Sequence, residues 1–84
     1  MIIKFPDMPE IEVDKFKGAV LIFIYADNHT KLDFGLFMEF PDKDNLRKIS
    51  SGWIDFEAFK GEDKIKSIKT VSECMARHYL EERT

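Results

Sequence analysis

Cys74 and His78 are the two residues of this chain whose types and spacing come nearest to chemistry. They stand four apart in a segment whose apolar residues recur at helical spacing, so their side chains share one side of a helix. A thiol and an imidazole so arranged suit half of a metal site, or a nucleophile with its base. Neither arrangement is complete. A structural zinc site takes four ligands and a catalytic one three, whereas the chain has one cysteine and a single other histidine, His29, in a polar loop. A catalytic thiol also needs a rigid cleft and an oxyanion site, for which no motif stands in the sequence. The expectation is no catalytic residue, no metal and no cofactor.

Paired carboxylates are the next candidates. Asp55 and Glu57 fall on one side of an alternating segment, as do Asp33 and Glu39. Acid–base work needs surroundings that push two such pKa values apart, and on a strand this pattern is more commonly the solvated face. The four glycines, at 18, 35, 52 and 61, are too scattered for a phosphate-binding loop, and no serine sits in a nucleophile elbow. A last cluster sets Trp53 and Phe59 among Arg47, Lys48, Lys60, Lys64, Lys66 and Lys69. Aromatic rings among lysines can stack bases, although a solvated basic rim explains the same residues.

Composition narrows the classes further. The 84 residues make one domain, with 44% apolar and 35% charged residues and a net charge of −3. A chain of this size buries about 60 to 65% of its unfolded surface, so its stability is modest. The first 45 residues carry five positive and nine negative charges, and the rest carry eight and seven. A local basic patch in a mildly acidic chain argues against a dedicated nucleic-acid binder. One cysteine permits no internal disulfide, which suits a reducing compartment. The longest apolar run, Ala19 to Ala26, is far short of a bilayer span, and the start Met1-Ile2-Ile3-Lys4 lacks the form of a signal peptide. A cytoplasmic protein without membrane attachment is expected.

The elements that would position these residues centre on 18–40. Residues 19–26 are continuously apolar and β-rich, a strand that wants cover on both faces. Residues 32–40 alternate, with Leu32, Phe34, Leu36, Met38 and Phe40 against Asp33, Gly35, Phe37 and Glu39. Turn-forming residues 27–31 join the two as an antiparallel hairpin. A five-residue loop pairs Ile22 with Leu36 and Phe23 with Gly35, laying a large ring across a strand glycine. One step of slip would swap the faces. In the five-residue register Leu21, Phe23, Tyr25 and Phe37 share a face rimmed by Asp33 and Glu39. Either a helix of this chain covers that face, or it binds a protein partner or a second copy.

Around the hairpin, 2–5 and 10–14 suggest short strands separated by a turn at Pro6 to Pro9, and the acidic residues of 10–14 suit an edge. Asp42 or Asp44 could cap a short helix ending near Ile49, and 53–59 alternates as a strand before a turn at 60–63. Residues 64–70 read either as a strand or as the start of the last helix. The Thr70–Glu73 capping box favours the strand and a helix beginning near Val71 and ending near Arg83. Its apolar stripe is Val71, Met75, Ala76, Tyr79 and Leu80, opposite Glu73, Arg77 and Glu81. The expected fold is α+β: an antiparallel sheet of four or five strands on the 19–26/32–40 hairpin, with the helix of about 71–83 on one face.

No motif specifies a function. Size and composition fit small α+β modules and the small inhibitor proteins of phages and mobile elements. The expected role is accordingly a non-enzymatic protein-binding module, a regulator or inhibitor of a larger cytosolic protein, or a self-associating domain. Its partner surface is Leu21, Phe23, Tyr25, Asp33, Phe37 and Glu39. The competing readings are a weak nucleic-acid binder using Trp53, Phe59 and the lysines, and a small enzyme or ligand-binding domain using Cys74 and His78.

Overall fold

The computed structural model describes residues 1–26, 30–39, 46–59, 61 and 63–81. Five strands form one sheet: β1 (Ile2–Lys4), β2 (Ile11–Glu12), β3 (Ala19–Tyr25), β4 (Lys31–Glu39) and β5 (Leu46–Asp55). A 3₁₀ turn, Phe56–Phe59, leads to the helix α1 (Lys64–Leu80). The strand order is β2-β1-β3-β4-β5. The sheet is mixed, not purely antiparallel, because β1 runs parallel to β3 while every other pair is antiparallel. A parallel pair cannot be joined by a tight turn and needs a crossover of about a dozen residues. Residues 5–18 supply it, and β2 folds back onto β1 within that stretch. The crossover ends in a turn with Phe16 and Gly18 at positive φ (57 and 84°), where the Ala19 amide donates to the Phe16 carbonyl at 3.1 Å.

Between β3 and β4 the register differs by one residue from the five-residue expectation. Leu21 lies opposite Leu36, Phe23 opposite Phe34 and Tyr25 opposite Leu32. The Ala26 amide donates to the Lys31 carbonyl at 2.9 Å, which leaves residues 27–30 as the connection. This register puts the alternate residues 19, 21, 23 and 25 on the same side as 32, 34, 36 and 38. Leu32, Phe34 and Leu36 of β4 therefore join Leu21 and Phe23 in one core, and a one-residue slip would set them beside Val20, Ile22 and Ile24 instead.

That core contains Ile3, Phe5, Ile11, Leu21, Phe23, Leu32, Phe34, Leu36, Phe59 and Ile68. Three rings meet at its centre. Phe5 and Phe23 are 5.6 Å apart, and Phe59 stands edge-on to both at 5.3 and 5.6 Å. Edge-to-face contacts of this kind add about 0.5 to 1.5 kcal/mol beyond area burial. Lys64 at the start of α1 lies over Phe5 and Phe56, at 5.1 and 4.8 Å from their centroids.

The C-terminal half departs from expectation in three places. Leu46 to Ile49 is strand, not helix, because nine positions of β4 pair with β5 and draw this segment into the sheet. The proposed caps Asp42 and Asp44 lie outside the described residues. Residues 56–59 leave the ladder as a 3₁₀ turn, which carries Phe59 into the core. The helix begins at Lys64 rather than near Val71. Its N-cap is Asp63, whose carboxylate accepts from the Lys66 amide at 3.0 Å. Thr70 then sits inside the helix, where its potential box has no terminus to cap. Residues 82 and 83 of the expected helix end are outside the described set. The buried line of α1 is Ile68, Ser72 and Ala76, flanked by Val71, Met75, Tyr79 and Leu80.

The Met1 amine donates to the carbonyls of Val13 and Lys15, at 2.7 and 2.8 Å, tying β1 to the end of β2. Desolvation lowers its pKa below the usual 8.0, against the opposing pull of Asp14 and Glu12.

Ser72 is fully buried and its hydroxyl has no hydrogen-bond partner. A buried hydroxyl without a partner contributes a desolvation cost and nothing in return. Ser72→Ala should leave stability unchanged or raise it by up to about 1 kcal/mol, and Asp63→Ala should lower it by about 1 kcal/mol. Urea melts of both variants check this; a clear loss on Ser72→Ala would mean that the hydroxyl is satisfied.

Candidate functional site

α1 and the 3₁₀ turn cover one face of the sheet and leave the other open. β3 must send residues to both sides, and the register decides which. Val20, Ile22 and Ile24 point away from the helix, opposite Phe37, Gly35 and Asp33 of β4. Across β4, Leu46, Lys48, Ser51, Trp53 and Asp55 of β5 fall on the same outer side. Four large apolar residues of the described chain are strongly exposed, and three of them are here: Trp53 (59%), Ile24 (58%) and Leu46 (46%). The fourth, Ile65, is on α1. A single exposed leucine would mean nothing, but a contiguous apolar patch rimmed by polar groups marks an interaction site.

The patch holds an open groove of about 510 Å³, lined among others by Ile22, Ile24, Asp33, Phe37, Lys48 and Trp53. Gly35 is also among its lining residues. The Phe37 ring lies back along its own strand over that glycine, where a Cβ would come within 2.7 Å of the ring. An aromatic does lie across a strand glycine, then, but the ring is Phe37 and not Phe23. Gly52 has the same relation to Phe34, at 3.0 Å. A β-bulge between Leu36 and Phe37, opposite the extra residue Ile49, turns β5 just where Lys48 enters the groove. At the other end Lys31 lies over the Trp53 ring, 4.3 Å from its centroid.

The six residues of the expected partner surface are divided by this architecture. Leu21 and Phe23 are core residues, 0 and 2% exposed, beneath the helix. Tyr25 is half-buried on that same side, 5.7 Å from Phe56. Asp33 and Phe37 are on the uncovered face. Glu39 pairs through its backbone with Leu46 at the end of β4. Ile24, Trp53 and Leu46, the most exposed apolar members, were not in the expected set. Ile24 was legible as the partner of Ile22 in a two-faced strand once the four-residue connection is chosen.

The other clusters are looser. Cys74 is exposed and shares a shallow depression with Arg77, His78 and Glu81 on the solvent side of α1. The His78 ring packs edge-on against Tyr79 at 4.8 Å, and Arg77 pairs with Glu81 at 3.8 Å. Among the described residues no group of three or more His, Cys, Asp or Glu is placed to hold a metal. His29 lies outside those residues. Trp53 and Phe59 are not neighbours on a strand, since Phe59 is in the core. Nor do the described residues include a helix long and apolar enough to cross a membrane.

No protein-family model, curated protein or solved structure matches the chain.

Two phenylalanines separated by one strand should behave differently. Phe23→Ala opens a cavity at the ring cluster and should cost about 3 to 5 kcal/mol. Phe37→Ala, half-buried on the open face, should cost no more than about half of that. Thermal melts compare them; equal losses would mean that the outer face is covered within the monomer. Cys74→Ser, at an exposed position, should change stability by less than about 0.5 kcal/mol.

Proposed function

We propose that this chain is a non-enzymatic protein-binding module that docks a larger protein on the open face of its sheet. One observation carries the reading: three of the four strongly exposed large apolar side chains, Ile24, Leu46 and Trp53, share the face that α1 leaves bare. That face has the make-up of a binding hot spot. An aromatic anchor and aliphatic neighbours surround a groove, with Asp33, Lys48 and Lys31 at its rim. Charges of both signs at the rim suit a protein surface of mixed charge and give register to the docked partner. A small cytosolic regulator or inhibitor of the kind encoded by phages and mobile elements would act in this way, by occupying a surface of a larger protein.

Trp53 with Lys31 above it also resembles a base-stacking element. The nucleic-acid reading is weaker because Phe59 is buried and Asp33 and Asp55 lie on the same side of the sheet as Trp53. With a net charge of −3, such binding should vanish near physiological salt.

Affinity purification from the native host, followed by titration against the purified partner, tests the main reading. Ile24→Asp and Trp53→Ala should each weaken that complex by about tenfold or more without lowering the melting temperature of the free chain, while Cys74→Ser should bind as wild type. Unchanged affinity in both face variants would defeat the proposal.

A further inference from the structure

β5 ends the sheet on one side, and among the described residues no strand pairs with its outer edge. The strand runs for ten residues, Leu46–Asp55, with alternate backbone amides and carbonyls directed away from β4. Edges of this length are ordinarily blunted along their course by charge, proline or bulges. Here those devices are gathered at the ends. Arg47, Lys48 and the bulged Ile49 occupy the start, Asp55 closes the strand, and Ser50-Ser51-Gly52-Trp53-Ile54 between them has neither charge nor proline. The edge is therefore positive at its beginning, negative at its end and unprotected in the middle.

That polarity is complementary to itself in one orientation. Turned antiparallel about a two-fold axis normal to the sheet, the basic start of one β5 meets the acidic end of another, and the contact occurs twice. A parallel arrangement would set like charge on like. We propose that the partner of this edge is a second copy of the chain, paired β5 to β5 about Ser51. The axis keeps each face on its own side, so residues opposite one another must share a face, as Ser51 does with itself. If the second strand passes over the bulged Ile49 as β4 does, Trp53 comes opposite Lys48 of the other copy. Asp55 then lies diagonal to the same lysine on the same face. Ser50, Ser51 and Gly52 at the centre leave room for close approach. The product is one continuous sheet in which the two open faces lie side by side. The pairing uses the strand edge and does not rest on partner docking at the groove.

Charge reversal tests it. Sedimentation velocity over a concentration series should show a monomer–dimer equilibrium for the wild type. Lys48→Glu replaces the open-face positive charge at the start of the edge with a negative one, and Asp55→Lys makes both ends basic. Each variant alone should dimerise about tenfold more weakly, and an equimolar mixture should recover wild-type association, because the mixed pair restores both contacts. Ser51→Glu, which sets a carboxylate against itself at the axis, should abolish the dimer. Ile24→Asp, on β3 away from the edge, should leave it unchanged, separating this pairing from docking on the open face. Far-UV circular dichroism checks that each variant is folded. A wild type monomeric at every concentration, a dimer indifferent to both charge reversals, or a mixture without recovery would each overturn the proposal.

Discussion

The contact of Phe23 with Phe5, Phe34 and Phe59 is the point on which this structure depends. Phe23 stands on the middle strand of five, and its ring meets Phe5 just after β1, Phe34 of β4 and Phe59 of the 3₁₀ turn that leads into α1. With Phe23 seated there, Leu21 follows on the same side and Ile68 and Ala76 of the helix close over them. Because side chains alternate along a strand, this also commits Val20, Ile22 and Ile24 to the opposite side. The composition of the open face is thus a direct consequence of where one aromatic ring is buried.

The same ring cluster draws in the crossover of the mixed sheet. Phe5 reaches Phe23 from the first residue after β1, and β1 lies directly beside β3 with Ile3 opposite Leu21. A parallel β1 needs a crossover, and residues 5–18 supply it with the short β2 and the turn at Phe16 to Gly18. The ion pair from Lys15 of this crossover to Glu73 of α1, at 3.8 Å, is largely exposed and adds little by itself. Buried rings, not surface charges, tie the crossover to the helix.

Much of this was legible in the residues. The unbroken run 19–26 and the alternation over 32–40 mark β3 and β4 because each is a long pattern with one period. The stripe Val71, Met75, Ala76, Tyr79 and Leu80 marks the helix for the same reason. What failed were choices between two local signals of similar weight. The Asp63 cap and the Thr70–Glu73 box both start a helix, and tertiary burial of Ile68 decides for the first. Leu46 to Ile49 has helix-compatible residues near two candidate caps, yet pairing with β4 takes it into the sheet. The register of β3 on β4 hung on whether four or five polar residues form the connection, a question that turn propensity does not answer. That single step moved Leu21 and Phe23 from the candidate surface into the core and brought Ile24 out. Trp53 and Leu46 join the open face only once β5 is known to be a strand throughout.

A chain of 84 residues with a two-faced apolar strand faces a problem of supply. One amphipathic helix has one apolar stripe and can cover one side of a sheet. A second layer would need another element of similar length, and the described residues hold one helix of that kind. The outer side is partly shielded from within: Phe37 folds down over Gly35, Val20 is only 7% exposed, and Lys31 lies against Trp53. These are economies made with side chains already present, and they stop short of Ile24, Leu46 and Trp53. Leaving such side chains in water forgoes about 25 cal/mol for each Å² of apolar surface. Polar residues at 24, 46 and 53 would remove that penalty without disturbing Phe23 or its neighbours, since all three point away from the core. The apolar character of these positions is therefore not demanded by the monomer's own packing.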